Sequence, residues 1–114
     1  MESYKEWFDL SNFKDGWFIG NFEPSIFKNC FFEVAYHKHS KGPGDPIHVH
    51  KIATEANYII KGKIRLYKQS YSIELQTGQI FVFDPGQPSK IDFLEDTELM
   101  VIKWPSVPTD KHLV

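Results

Sequence analysis

Two imidazoles and a carboxylate lie close together near the middle of the chain. His48 and His50 flank Val49, and Glu55 follows after Lys51, Ile52, Ala53 and Thr54. On an extended strand, residues two apart point the same way, so His48 and His50 share a face. Glu55 falls at the start of the next extended run and can turn to the same side. Two neutral imidazole nitrogens and one carboxylate make the facial triad that holds a divalent metal with coordination positions left open. Such a donor set suits Fe, Mn, Ni or Zn. The competing reading is a hydrogen-bonded trio with no metal. His37 and His39 form a second pair, on one strand face with Glu33 and Ala35. They are candidates for a further ligand or for proton transfer. Their place beside Lys38, Lys41 and a glycine-rich stretch reads first as an exposed polar strand end.

These side chains must be positioned by short strands. Glycine and proline punctuate the chain at short intervals, the rhythm of an all-β domain. Extended runs are expected at 16–22, 31–39, 47–50, 55–60, 63–68, 71–75, 79–83, 89–93 and 98–104. Lys61-Gly62 reads as a hairpin turn. The stretch Gly42-Pro43-Gly44-Asp45-Pro46 reads as irregular. Aromatic residues make up 16% of the chain, which favours half-buried strands. The 114 residues suit a single domain. It divides into an N-terminal arm at 1–15, a barrel at 16–104 and a C-terminal tail at 105–114, the last a surface strap or loosely held end. The architecture expected is a sandwich or jelly roll.

The remaining features bound the function. The formal charge of −2 offers no electrostatic footprint for nucleic acid or an anionic membrane. No apolar run approaches the ~20 residues of a membrane helix. The first residues lack the basic-then-apolar layout of a secretory signal, so a cytoplasmic protein is expected. Cys30 stands alone and is read as a small buried residue.

The run from Gly42 to Gly62 resembles the first conserved motif of the cupin superfamily. Gly42, His48, His50, Glu55 and Gly62 fall where that motif places them, and Tyr58, Ile59 and Ile60 look like its following strand. The stretch from Gly78 to Phe93 resembles the second motif in spacing, with Gly78 and Gly86 in place. It departs in chemistry: Asp84 stands where proline is usual, Ser89 where the family places its last metal-binding histidine, and Phe93 where asparagine is frequent. The resemblance implies a single-domain, cupin-type jelly-roll β-barrel (a double-stranded β-helix). It also implies a metal held by His48, His50 and Glu55 without the fourth ligand. A serine hydroxyl stays protonated at neutral pH, so Ser89 would at most hydrogen-bond a bound water.

Other positions complete the candidate pocket. Asn57 and Tyr58 follow Glu55, and one of them should face the cavity, with Tyr58 reading better as core. Lys63, Arg65 and Tyr67 share a face that reads as a solvated strand. Asp92 lies three residues past Ser89 and should face away from it. The aromatic density between Tyr4 and Phe32 exceeds what a small barrel need bury, which points to a homodimer. Three functions remain open: a metal-dependent small-molecule enzyme; a metal-free sugar-nucleotide isomerase, since His48-Val49-His50-Lys51 resembles the His-Ala-His-Lys stretch of such cupins; and a non-catalytic binding or sensing module.

Overall fold

The computed structural model describes residues 6–113 of the chain. Alternating β-formers and polar residues cut these residues into short strands: β1 (Trp17–Ile19), β2 (Glu33–His39), β3 (Gly42–Pro43), β4 (His48–Val49), β5 (Thr54–Lys61), β6 (Lys63–Tyr67), β7 (Ser72–Gln76), β8 (Ile80–Phe83), β9 (Lys90–Phe93), β10 (Thr97–Trp104) and β11 (His112–Leu113). Strand β10 shows the pattern most clearly. Thr97, Leu99, Val101 and Lys103 are buried, while the residues between them are partly or fully exposed. A period of two of this kind buries one face of a sheet and leaves the other to solvent.

All pairings are antiparallel. One sheet runs β1-β2-β10-β5-β8, a second runs β3-β9-β6-β7, and β11 pairs with β4 in a small ribbon. The inward side chains of the two sheets meet in one core of Ala35, Ile59, Ile64, Leu66, Phe81, Phe83, Phe93, Leu99 and Val101. This is the expected all-β jelly roll, and all nine expected strands are present. Among the described residues no helix is long and apolar enough to cross a membrane.

Several local expectations need correction. Lys61-Gly62 does not close a hairpin: β5 pairs with β10 and β8, whereas β6 pairs with β7 and β9. The chain switches sheets at Gly62, whose φ of +118° suits glycine. A Cβ there would lie 2.4 Å from Thr97 Oγ1 and 2.7 Å from the Asp96 carbonyl oxygen, so β6 can leave only by passing tightly under the start of β10. The true hairpin is β6–β7. Gly42 and Pro43 are not irregular, because they pair with Phe93 and Asp92. Cys30 is exposed rather than buried. In the N-terminal arm, two 3-10 turns cover Leu10–Asn12 and Lys14–Gly16, and residues 1–5 lie outside the described residues.

The tail is neither loose nor merely superficial. Ser106 and Asp110 are buried, and β11 hydrogen-bonds to the strand that carries His48. It binds because Asp110 meets three backbone amides that the turn after His50 would otherwise leave unpaired.

Candidate metal and ligand site

A cavity of about 780 Å³ opens between the sheets. Parity decides what lines it. On β2 the inward residues include Glu33, His37 and His39; on β5 they are Glu55 and Asn57; on β10 they are Leu99, Val101 and Lys103. His48 and His50 line it from β4 and the turn that follows. Phe83, Phe93 and Trp17 supply aromatic wall, and exposed Lys14, Asp15, Ser40, Asp45 and Lys111 stand at the rim.

The expected donors converge on one wall. The His48 and His50 rings lie 5.4 Å apart. His50 Nε2 lies 3.8 Å from Glu55 Oε1. Two donors bound to one ion at ~2.1 Å stand about 3 Å apart, so a small closure would bring this pair to ligation distance. Among the described residues no three His, Cys, Asp or Glu side chains form a ready-made cage. The chemistry of the donors nevertheless fits a metal. His48 Nδ1 lies 3.1 Å from the Pro46 carbonyl oxygen; a proton there leaves Nε2 with a free lone pair. Asn57 Nδ2 donates to Glu55 Oε2 at 2.8 Å, which holds the carboxylate and leaves Oε1 towards His50. Burial, then the positive charge of Lys103, holds the His50 imidazolium pKa down at about 4, so the ring is neutral at physiological pH.

Residues 35–104 match the cupin domain family. The chain belongs to the cupin family. No curated protein matches it. Among solved structures it is similar to an uncharacterized conserved protein with a double-stranded β-helix domain from Klebsiella pneumoniae, with a TM-score of 0.71 and 16% identity over 100% of this chain and 97% of that one. It is also similar to a cupin-2 domain containing protein from Shewanella frigidimarina, with a TM-score of 0.59 and 22% identity over 68% and 74% of the two chains. Oxalate decarboxylase from Bacillus subtilis shares the fold with a TM-score of 0.67 and 18% identity, over 74% of this chain and 24% of that enzyme. Identities this low show the fold alone, and the fold houses enzymes among other proteins.

In this cupin the other candidate residues separate clearly. Asn57 lines the cavity, whereas Tyr58 does not: it is 43% exposed on the outer face of its sheet, neither pocket nor core. His37 and His39 are not an exposed strand end. The β2–β10 pairing runs through to Thr97↔His39, so both rings stay between the sheets. His37 sits edge-on to Trp17, with ring centroids 5.4 Å apart, and His39 stacks on Phe93 at 4.2 Å. Burial lowers the pKa of both. Ser89 is buried but does not line the cavity. Its backbone exchanges hydrogen bonds with His48, N to O at 3.1 Å and O to N at 3.3 Å, which sets the two residues directly opposite on adjacent strands. Asp92 faces away from the cavity and pairs with Lys90 at 3.3 Å. Arg65 is engaged by Glu74 and Ser72 across the β6–β7 hairpin.

Sequence reasoning missed three participants: Glu33, Lys103 and Asp110. Glu33 accepts a hydrogen bond from Ser106 Oγ at 3.2 Å, and burial raises its pKa although Lys103 opposes the rise. Asp110 is 2% exposed and accepts hydrogen bonds from the amides of Lys51, Ile52 and Ala53 at 3.0, 2.8 and 2.8 Å. Burial alone would raise its pKa, but these amides outweigh that and the net shift is downward. The inward parity of β10 was the available signal for Lys103. Apart from His112, whose Nε2 lies 3.3 Å from Asp110 Oδ1, the partners of Asp110 are amides more than fifty residues away.

The metal-free cupin is expected to lose stability in acid, because burial holds the His50 ring neutral. An unfolded histidine takes up a proton near pH 6.5, whereas folded His50 resists until about pH 4. Its contribution is therefore complete above 6.5 and is lost as the pH falls towards 4. Between pH 7.5 and 5 the loss from His50 alone is about 2 kcal/mol. His37 and His39 act in the same sense, and Glu33, with its raised pKa, acts in the opposite one. Urea unfolding of metal-free protein at the two pH values should show the decline, and His50→Gln should flatten it. Equal slopes in parent and variant would contradict the assignment.

Proposed function

We propose that His48, His50 and Glu55 hold one divalent metal ion on the cavity wall, and that the protein binds or transforms a small polar molecule beside it. The observation that carries this reading is the pairing of His50 and Glu55 on that wall, with the Pro46 carbonyl beside His48 and Asn57 orienting Glu55. A metal bound there would supply Lewis acidity to an oxygen of the ligand. The chain's own residues do the rest. Glu55 and the two imidazoles present lone pairs, the aromatic wall excludes water, and His37 and His39 offer ring nitrogens for hydrogen bonding or proton transfer to a ligand.

Titration calorimetry of metal-free protein with Mn(II), Zn(II) and anaerobic Fe(II) tests the reading. Binding of one ion per chain is expected, and no heat with any of the three ions contradicts it. Ser89 lies opposite His48, so Ser89→His offers a fourth ligand and should tighten binding about tenfold or more. Unchanged affinity in a folded Ser89→His variant would mean that the ion, if bound, sits elsewhere.

If no metal binds, the four imidazoles around the cavity favour the metal-free reading, proton transfer on a ligand such as a sugar nucleotide. Metal binding without turnover favours a binding or sensing module. Homodimerisation belongs to the same proposal. It is supported by the outer face of the larger sheet, where Tyr58, Ile80, Val82, Ile102 and Trp104 are 41–63% exposed.

A further inference from the structure

Lys103 is a lysine on the wrong side of its strand for solubility. It shares the inward face of β10 with Val101 and Leu99, is 5% exposed, and lines the cavity. A lysine stem is long enough to carry its head out to bulk water where an escape exists. Here the head turns inward, 5.6 Å above the Trp17 ring. In register, Lys103 lies between Glu33 on β2 and Glu55 on β5. Neither carboxylate takes the ammonium as a partner: among the described residues the Lys103 side chain makes no ion pair within 4.0 Å and no hydrogen bond. Glu33 is engaged by Ser106 Oγ, which itself accepts the Asn21 amide at 2.8 Å, and Glu55 is engaged by Asn57. The nitrogen is not one of the fully buried side-chain atoms left without a partner, so it opens on the cavity. Its three donors therefore remain for whatever occupies the cavity.

We propose that Lys103 is an anion-recognising residue of the cavity and takes one carboxylate of a small ligand. A carboxylate suits the site better than a phosphate. Glu33 and Glu55 flank the single ammonium, so a ligand with one negative charge is repelled less than a phosphate, and phosphate sites gather several donors from arginines, glycine-rich nests or helix ends. None of these lines this cavity among the described residues. The inference deepens the proposed function, because the same ligand would extend its remaining polar atoms towards His48, His50 and Glu55.

The test uses metal-free full-length protein, so that it stands apart from metal binding. Propionate and its neutral isostere propionamide are titrated while the Trp17 indole N–H resonance is followed by NMR. Saturable shifts with propionate, and at least tenfold weaker binding of propionamide, are expected. Lys103→Met should weaken propionate at least tenfold, and Lys103→Arg should retain it within about threefold. Equal binding of the two probes by the parent, or no saturable propionate binding, would overturn the inference even if Lys103→Met failed to fold. Because no metal is present, this failure would leave the metal triad untouched, and a failure of metal binding would leave the anion site standing.

Discussion

Alanine in place of His50 is expected to lower the affinity for Mn(II), Fe(II) or Zn(II) by about a hundredfold or more, a loss near 2.7 kcal/mol. The proposed site has three protein donors, so removing one would leave a two-donor fragment that competes poorly with water. Glu55→Gln should approach the same loss with less disturbance. It keeps the volume and can keep a hydrogen bond with Asn57, but it removes the anionic charge. Tyr58→Ala is the matched control. Tyr58 is three residues from Glu55 on the same strand yet points outward, so its loss should leave metal affinity unchanged. Calorimetry on the four proteins gives the comparison. Equal affinity in the parent, His50→Ala and Glu55→Gln would remove these residues from the site.

Asp110→Ala is expected to cost about 3 kcal/mol of stability and to weaken metal binding about tenfold. One carboxylate serves three buried or half-buried amides, and hydrogen bonds to a charged group contribute about 1.5–3 kcal/mol each without adding fully. Losing it strands the amides of Lys51, Ile52 and Ala53, the turn that joins His50 to Glu55. It also frees β11 from the strand carrying His48. On this account Asp110 is a positioning residue: it holds the turn between His50 and Glu55 through the Lys51, Ile52 and Ala53 amides. Asp110→Asn retains an oxygen acceptor and should recover part of both losses. Urea midpoints and metal titrations on the two variants separate the effects. A stability loss with metal affinity unchanged would make Asp110 structural only.

Much of this was legible in the chain because period-two patterning is local. The inward set Leu99, Val101 and Lys103 can be read from β10 alone, as can Phe81 and Phe83 from β8. The candidate donors were legible for the same reason, since His48, His50 and Glu55 lie within one short stretch. The errors have one source, contacts made at long range. Lys61-Gly62 has the composition of a hairpin turn, and only the approach of Thr97 and Asp96 shows that Gly62 carries the chain between sheets. His37 and His39 look exposed until β10 covers them on one side and Phe93 and Trp17 on the others. Ser89 shares the sequence spacing of a ligand but spends its position on pairing with His48. The tail reads as a surface strap from its prolines, and what holds it are the buried Ser106 and Asp110, whose partners Glu33, Lys51, Ile52 and Ala53 lie far along the chain.

Anomalous diffraction from crystals of tag-free protein grown with Mn(II) tests the central claim most directly, because it locates the ion rather than counting it. The account predicts one peak per chain within about 2.3 Å of His48 Nε2, His50 Nε2 and a Glu55 oxygen. No peak on the cavity wall, or a peak held by His37 and His39 instead, would contradict it.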